Sequence, residues 1–383
     1  MDWLIFGDDW GGHPSTTQHL ARNLPPEDRI IWINSIGMRS PDIHLADLRR
    51  LCQKAFSALR GARHRLPFGK MCCSDRITVI PPVVLPWHQQ PLVRSLNARS
   101  LHLSIRAAMK KTGMERMTVL VSNPMAVFYL EDLPCECLCY LRLDDYPNLP
   151  GVDASLTVQA EALLMQKSQL LFATATLLLS SQIPAHQHQV YLPQGVDRQH
   201  FASVPLDPPR SRVLGFYGLL AEWLNYPLIE QVADSMPGWT LEMIGPVRCV
   251  PERLHQKPNI RLLPPVSYCD LPEAIRGWDA AWIPFLLNSL TRSVNPLKLR
   301  EYLAAGLPTL CTPLPEAQGM SANVTLARTP EEVRRFLESV VETDTAQKRA
   351  ERRHAVAEDR WDLRVAILRA QVAQVCGAKT SGG

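Results

Sequence analysis

Asn295-Pro296-Leu297-Lys298-Leu299-Arg300-Glu301-Tyr302-Leu303-Ala304-Ala305-Gly306-Leu307-Pro308, followed by Thr309-Leu310-Cys311-Thr312, reads as a helix, a stop and a buried strand in one stretch. Pro296 suits a first helical turn, where its missing N–H is no loss, and Gly306 with Pro308 closes the helix. Leu297, Tyr302 and Leu303 fall near helical spacing, and the run after Pro308 is apolar enough for a strand. The first amides of such a helix are free to face an anion. Lys298 sits in that turn, where a purely structural cation would oppose the helix dipole, so a bound phosphate is a reason for its presence. Glu301, one turn on, is a buried acidic candidate placed to accept hydrogen bonds from ribose hydroxyls. Taken alone, the segment is equally an amphipathic helix with solvated Lys and Glu.

The same alternation continues in both directions. Candidate strands lie at 3–6, 30–33, 78–80, 119–121, 137–141, 170–173 and 190–192, with helical stretches between them. A proline-rich link at 205–209 leads to a second series at 213–216, 241–244, 260–262, 280–283, 309–311 and 324–326. Alternating short apolar runs and helices predict a doubly wound, parallel α/β sheet, here two of them joined near residue 200.

At 383 residues the chain is long enough for two domains of ordinary size. A composition of 46% hydrophobic and 20% charged residues is globular. Cys135, Cys137 and Cys139 alternate as on one strand face, and no C-x-x-C occurs, so the cysteines read as small buried hydrophobes in a reducing cytoplasm. The start, Met1-Asp2-Trp3-Leu4-Ile5-Phe6, goes straight into strand-like sequence with no basic leader. The longest apolar stretch, at 170–179, is far short of the ~20 residues of a spanning helix.

Between His44 and Arg116 stand fourteen Lys or Arg against three Asp or Glu, although the whole chain carries only +4. Leu45, Leu48, Cys52, Ala55, Phe56 and Leu59 form a helical stripe flanked by Arg49, Arg50, Lys54 and Arg60. This pattern suits a helix lying on an anionic membrane surface, and equally a solvated helix face. Nucleic acid is not expected, since no binding motif accompanies the charge.

Two further segments carry polar candidates. Gly7-Asp8-Asp9-Trp10-Gly11-Gly12-His13-Pro14 follows the first strand and precedes a helix opened by Ser15, Thr16 and Thr17. Gly11 and Gly12 could let the backbone approach a diphosphate, although the spacing is not the dinucleotide fingerprint. Leu141-Arg142-Leu143-Asp144-Asp145-Tyr146 ends a strand on the side where open α/β sheets bind ligands. Asp144 or Asp145 could take a proton from an acceptor hydroxyl or orient it, hold a metal as an acidic pair, or simply cap a turn.

The 295–308 segment resembles the donor-nucleotide helix of the GT-B glycosyltransferases, the retaining family 4 branch, in which a glutamate before an A-G-x-P turn holds the ribose. Leu192-Pro193-Gln194-Gly195-Val196-Asp197, with Phe201 four residues on, is similar to that family's N-G-V-D-x-x-x-F signature, with Gln194 for Asn. The tail containing Trp361-Asp362 resembles its returning last helix. The resemblance implies two Rossmann-like domains flanking a cleft, residues 1–196 with a helix at 362–378 packing back on them, and 197–361. It implies a donor site with Gly11, Gly12, Gly218, Asn295, Leu297 and Glu301, and Lys298 and Arg292 neutralising the departing diphosphate, with Asp144 and Asp145 on the acceptor side. No metal or other cofactor is expected, the Asp pair lacking D-x-D spacing.

The sequence departs from the family twice. Glu222-Trp223 follows the Gly215-Phe216-Tyr217-Gly218 turn where relatives carry Arg and Lys, and Ser293 stands eight positions before Glu301 where they often carry Glu. The expected activity is transfer of a sugar from a nucleotide-diphosphate donor to a hydroxyl of a glycan or lipid-linked acceptor, in the cytoplasm or at the inner face of the membrane. A catalytically weak partner of another transferase and a nucleotide-sugar epimerase are the alternatives. Neither Lys298 nor Glu301 is expected to carry fold stability.

Overall fold

A computed structural model of the chain describes residues 1–38, 76–180, 184 and 187–380. The apolar stripe expected at 45–59, with its flanking cations, lies outside them. The chain divides into two compact units, 1–192 with 365–383, and 193–364.

The first unit holds seven strands: β1 (Asp2–Phe6), β2 (Arg29–Ile33), β3 (Ile77–Ile80), β4 (Met117–Val121), β5 (Cys135–Arg142), β6 (Leu170–Ala173) and β7 (His188–Tyr191). They run in the order β3-β2-β1-β4-β5-β6-β7, every neighbour parallel. The central strands are apolar along nearly their whole length, as a sheet covered on both faces requires: Trp3, Leu4, Ile5 and Phe6 of β1 are all buried, as is all of β4, Thr118 included. Cys137 and Cys139 are buried thiols 3.8 Å apart on β5, the small hydrophobes expected of them, while Cys135 at the strand start is half-buried.

The second unit holds β8 (Val213–Tyr217), β9 (Thr240–Ile244), β10 (Ile260–Leu263), β11 (Ala280–Ile283), β12 (Thr309–Cys311) and β13 (Val324–Leu326). Its parallel order is β10-β9-β8-β11-β12-β13. A core of Phe216, Tyr217, Trp278, Trp282, Tyr302 and their aliphatic neighbours fills it.

The signature around residue 195 has a local explanation. Asp197 caps the short helix Arg198–Phe201, whose Phe201 is fully buried. A Cβ on Gly195 would come within 2.6 Å of the Trp361 ring, so the glycine and the tryptophan of the returning segment are packed as one contact. Val196 donates to the Asp359 carbonyl at 2.6 Å, and Arg364 Nε donates to the Gln194 carbonyl at 3.3 Å. The two ends of the second unit are thus laced together.

Candidate functional site

Open parallel sheets bind ligands at the carboxyl ends of their strands, where the strand order reverses. In the second unit that reversal falls between β8 and β11. Three segments meet there: the turn after β8, the turn after β9 and the helix Leu297–Ala304.

The turn after β8 is built on two glycines. Gly218 has φ +137 and donates to the Ile244 carbonyl at 2.8 Å; Gly245, after β9, has φ +150, and a Cβ there would stand 2.0 Å from the Gly218 carbonyl oxygen. Both conformations and the close approach are open only to glycine. A Cβ on Gly218 would lie 2.5 Å from Lys298 Cε, so the lysine stem runs across the bare Gly218 backbone, with Nζ 5.9 Å from the centre of the Phe216 ring.

The helix begins at Leu297. Pro296 is extended (ψ 123) and is the cap rather than part of the first turn, a correction of one residue that leaves Lys298 second in the helix. Pro296 has no side chain able to cap, so the first-turn amides receive no side-chain acceptor from it. Gly306, at φ +83, ends the helix as expected.

Glu301 is only 4% exposed, and its Oε2 accepts a hydrogen bond from Tyr217 Oη at 2.5 Å. The Tyr302 hydroxyl in turn accepts from the Tyr217 backbone N–H at 3.1 Å. Burial raises the Glu301 pKa, opposed by the Tyr217 hydrogen bond and by Lys298. Burial lowers that of Lys298, opposed by Glu301. A partly buried cation and a buried carboxylate one helical turn apart are each pushed toward neutrality by burial; an added anion would favour the charged ammonium of Lys298 and oppose ionisation of Glu301. The expectation that Glu301 lies outside the stabilising core is therefore corrected, since it anchors a buried tyrosine hydroxyl.

The other predicted residues of this unit divide. Leu297 is half-buried at the helix start, and Arg292 is exposed at the end of the short helix Ser289–Arg292, held by an Asn288/Thr291 capping box. Asn295 is committed elsewhere: its carbonyl accepts from Arg300 Nη1 at 2.8 Å and its amide donates to Glu316 Oε2 at 3.2 Å. Arg300 also reaches Asp359 at 3.1 Å. Sequence reading missed Tyr217 and Gly245, although each directly adjoins a strand end. It also missed Arg248, which pairs with Glu222 at 3.2 Å and so returns a cation to the turn that departs from the family pattern.

In the first unit the order reverses between β1 and β4, and the 7–14 loop follows β1. Gly7 is there for packing, because a Cβ would meet the Trp32 ring at 2.3 Å. Gly11 has φ +88, while Gly12 would tolerate a Cβ with only the Asp9 carbonyl at 3.5 Å. The loop is internally tied. Asp8 accepts from Ser15 Oγ at 2.8 Å and Gln18 Nε2 at 2.7 Å, and the amides of Gly11 and Gly12 make long bonds, 3.4 Å each, to Gln18 Oε1 and the Asp9 carbonyl. The following helix, Thr16–Asn23, is capped by Ser15, so the Asp8 carboxylate already stands beside its amino end.

Asp144 and Asp145 follow β5. Asp145 accepts from Asn148 Nδ2 at 2.7 Å, as a turn-capping aspartate does. Burial first, and Asp145 second, push the Asp144 carboxyl up to about 7. An acid titrating there can hold or accept a proton near neutrality. It also costs stability. The unfolded chain ionises Asp144 near 3.8 and the folded chain near 7, so stability present in full below the lower value is lost as pH rises through the upper one. Asp144→Asn is expected to be more stable than the parent at about pH 8, with the difference vanishing toward about pH 4. Denaturant unfolding across that window measures it, and parallel curves for the two proteins would contradict the shift.

Among the described residues no three His, Cys, Asp or Glu side chains are grouped to hold a metal ion. No described helix is long and apolar enough to cross a membrane.

No family model matches the chain. A Bacillus subtilis (strain 168) protein, TuaH, provisionally named as a teichuronic acid biosynthesis glycosyltransferase, is 27% identical over 176 residues, 42% of this chain and 44% of that protein. The match thus spans less than half the length of this relative. Sucrose-phosphate synthase from Thermosynechococcus elongatus superposes with a TM-score of 0.66 at 11% identity, covering 99% of this chain and 100% of that one. Anabaena HepE in complex with UDP and glucose superposes with a TM-score of 0.64 at 14% identity, covering 98% and 99%. The fold is that of these proteins, the GT-B arrangement of two Rossmann-like units that the sequence led us to expect.

Proposed function

We propose that the chain is a glycosyltransferase that moves a sugar from a nucleotide-diphosphate sugar to a hydroxyl of a glycan or lipid-linked acceptor in surface polysaccharide assembly. The observation that carries this reading is the placement of Lys298 and Glu301 on one helix at the strand-order reversal of the second unit, with the lysine stem laid across Gly218 and the carboxylate held by Tyr217. In this reading Glu301 uses its second oxygen on the ribose, and Lys298 with the first helix amides meets the charge that builds on the departing diphosphate. Arg292 supplies a further cation from solvent. Asp144 takes or positions the acceptor proton, and Asp145 shapes its turn. TuaH and HepE support the reading through what their names state, a glycosyltransferase of teichuronic acid biosynthesis for one and bound UDP with glucose for the other. Retention of configuration rests on family resemblance.

A panel of nucleotide sugars tested for thermal stabilisation examines the donor reading directly. A true donor at a hundred times its dissociation constant adds about 2.7 kcal/mol, or roughly 5–10 °C for a unit of this size. Failure of every nucleotide sugar to raise the midpoint would sink the donor site.

We assign no metal to the reaction, Lys298 and Arg292 supplying the positive charge. Activity is accordingly expected to survive chelation. Loss of turnover with EDTA, restored by added magnesium, would show the assignment to be wrong.

Gly12→Val should remove most activity and leave the fold intact, because its Cβ meets nothing closer than 3.5 Å. An active variant would leave the 7–14 loop without a part in the reaction, and a large fall in midpoint would mean that the loop serves the fold.

A further inference from the structure

The helix Pro91–Thr112 is 22 residues long, about 33 Å at 1.5 Å per residue, and carries no acidic side chain. None occurs anywhere between Arg76 and Met114. Its inner face is Asn97, Leu101, Ile105, Ala108 and Met109. A surface helix confines its large apolar side chains to such a face. Here the outer face also holds Leu92, Leu96 and Leu103, which are 81%, 62% and 63% exposed. Spacings of three and four place 92, 96, 99, 103, 106 and 110 in one row, so the leucines share a stripe with Arg99, Arg106 and Lys110.

The extended segment before the helix adds to it. Val83, Leu85 and Trp87 are exposed at alternate positions, and Asn97 ties that segment to the helix, accepting from Leu85 N at 2.8 Å and donating to the Leu85 carbonyl at 2.9 Å. Of the sixteen large apolar side chains exposed among the described residues, six fall within residues 83–103. That concentration is unlike the single scattered exposures of an ordinary surface. Arg99, Arg106, Lys110 and Lys111 are exposed and have no carboxylate partner among the described residues.

We propose that this face, residues 83–87 with the outer stripe of Pro91–Thr112, docks on an anionic lipid surface. The leucines stand on a helix rather than line a groove, and an apolar stripe mixed with unpaired cations matches the boundary between acyl chains and acidic headgroups. The face falls within the basic 44–116 stretch that first suggested a membrane and uses other residues than the 45–59 stripe. It does not depend on the donor reading, because vesicle binding needs no nucleotide.

The test is cosedimentation of the full chain with phosphatidylcholine vesicles, with and without phosphatidylglycerol. Binding is expected to the acidic vesicles and to weaken with added salt. Each cation near the surface is worth about fivefold in partitioning, so the triple variant Arg99→Gln, Arg106→Gln, Lys110→Gln should bind roughly a hundredfold less. The double variant Leu92→Ser, Leu96→Ser should lose about tenfold or more, with the salt dependence retained. All five side chains are exposed, so unfolding midpoints should not move. Absence of binding to acidic vesicles, or undiminished binding by both variants, overturns the proposal. A chain that bound vesicles but no nucleotide sugar would leave it standing and remove only the proposed function.

Discussion

Lys298→Met is expected to lower turnover by roughly a hundredfold to a thousandfold, the usual cost of deleting one preorganised donor from a developing anion. Methionine keeps the stem that packs across Gly218 and removes only the charge. Affinity for the free nucleotide should fall much less, because the charge on the diphosphate grows as the glycosidic bond breaks. Glu301→Ala is expected to behave in the opposite way, weakening free nucleotide and nucleotide sugar alike. It should also lower the unfolding free energy by about 1–3 kcal/mol, since it strands the buried Tyr217 hydroxyl. Tyr217→Phe, Glu301→Ala should recover part of that loss, as removing both partners leaves no orphaned group. Wild-type turnover and donor affinity in both single charge variants would make this helix purely structural and misplace the donor.

The second large effect is on the backbone crossing beside that helix. Gly245→Ala forces a side chain into a left-handed conformation and to within 2.0 Å of the Gly218 carbonyl. Strain and overpacking together should cost about 3 kcal/mol or more, and donor affinity should fall with it as the Gly218 turn is pushed aside. Gly277→Ala is the control. Its Cβ would find open space, so it should be neutral or stabilising by up to about 1 kcal/mol. Equal unfolding midpoints for the two variants would mean that the two turns are not packed as described.

Whatever depends on neighbours in sequence was legible beforehand. The strands announced themselves as short apolar runs between helical stretches, because a strand buried on both faces needs apolar side chains throughout. Gly218, Lys298 and Glu301 could be chosen because a glycine after a strand, a cation in a first helical turn and an acid one turn on carry local meaning. Contacts between distant segments were not legible. Nothing near Asn295 says that Arg300 and Glu316 will take its amide, and Asp359 joins that network from 59 residues beyond Arg300. Gly245 looks like any turn glycine until β9 is laid beside β8 and its Cα is found against Gly218. Tyr217 looks like a core aromatic, and its hydroxyl gains a purpose only when Glu301 arrives from a helix 84 residues later. The exposed leucines of Pro91–Thr112 escaped notice for a related reason: leucines stand on both faces of this helix, and which row packs inward is decided by segments distant in sequence.

The lacing of Gln194 to Arg364 and of Val196 to Asp359 gives the second unit the topology of an insertion. The chain leaves the first unit after Leu192 and rejoins it at Val365, and the intervening stretch starts and finishes at one place. Such a module can be cut out with a single snip at each boundary, without leaving a strand unpaired in its sheet. It can also be circularly permuted, new termini being opened at an exposed loop and the old ones joined by a short linker. The contact of Gly195 with Trp361 marks where any such excision must stop, since a fragment ending before the tryptophan would bare the glycine it covers.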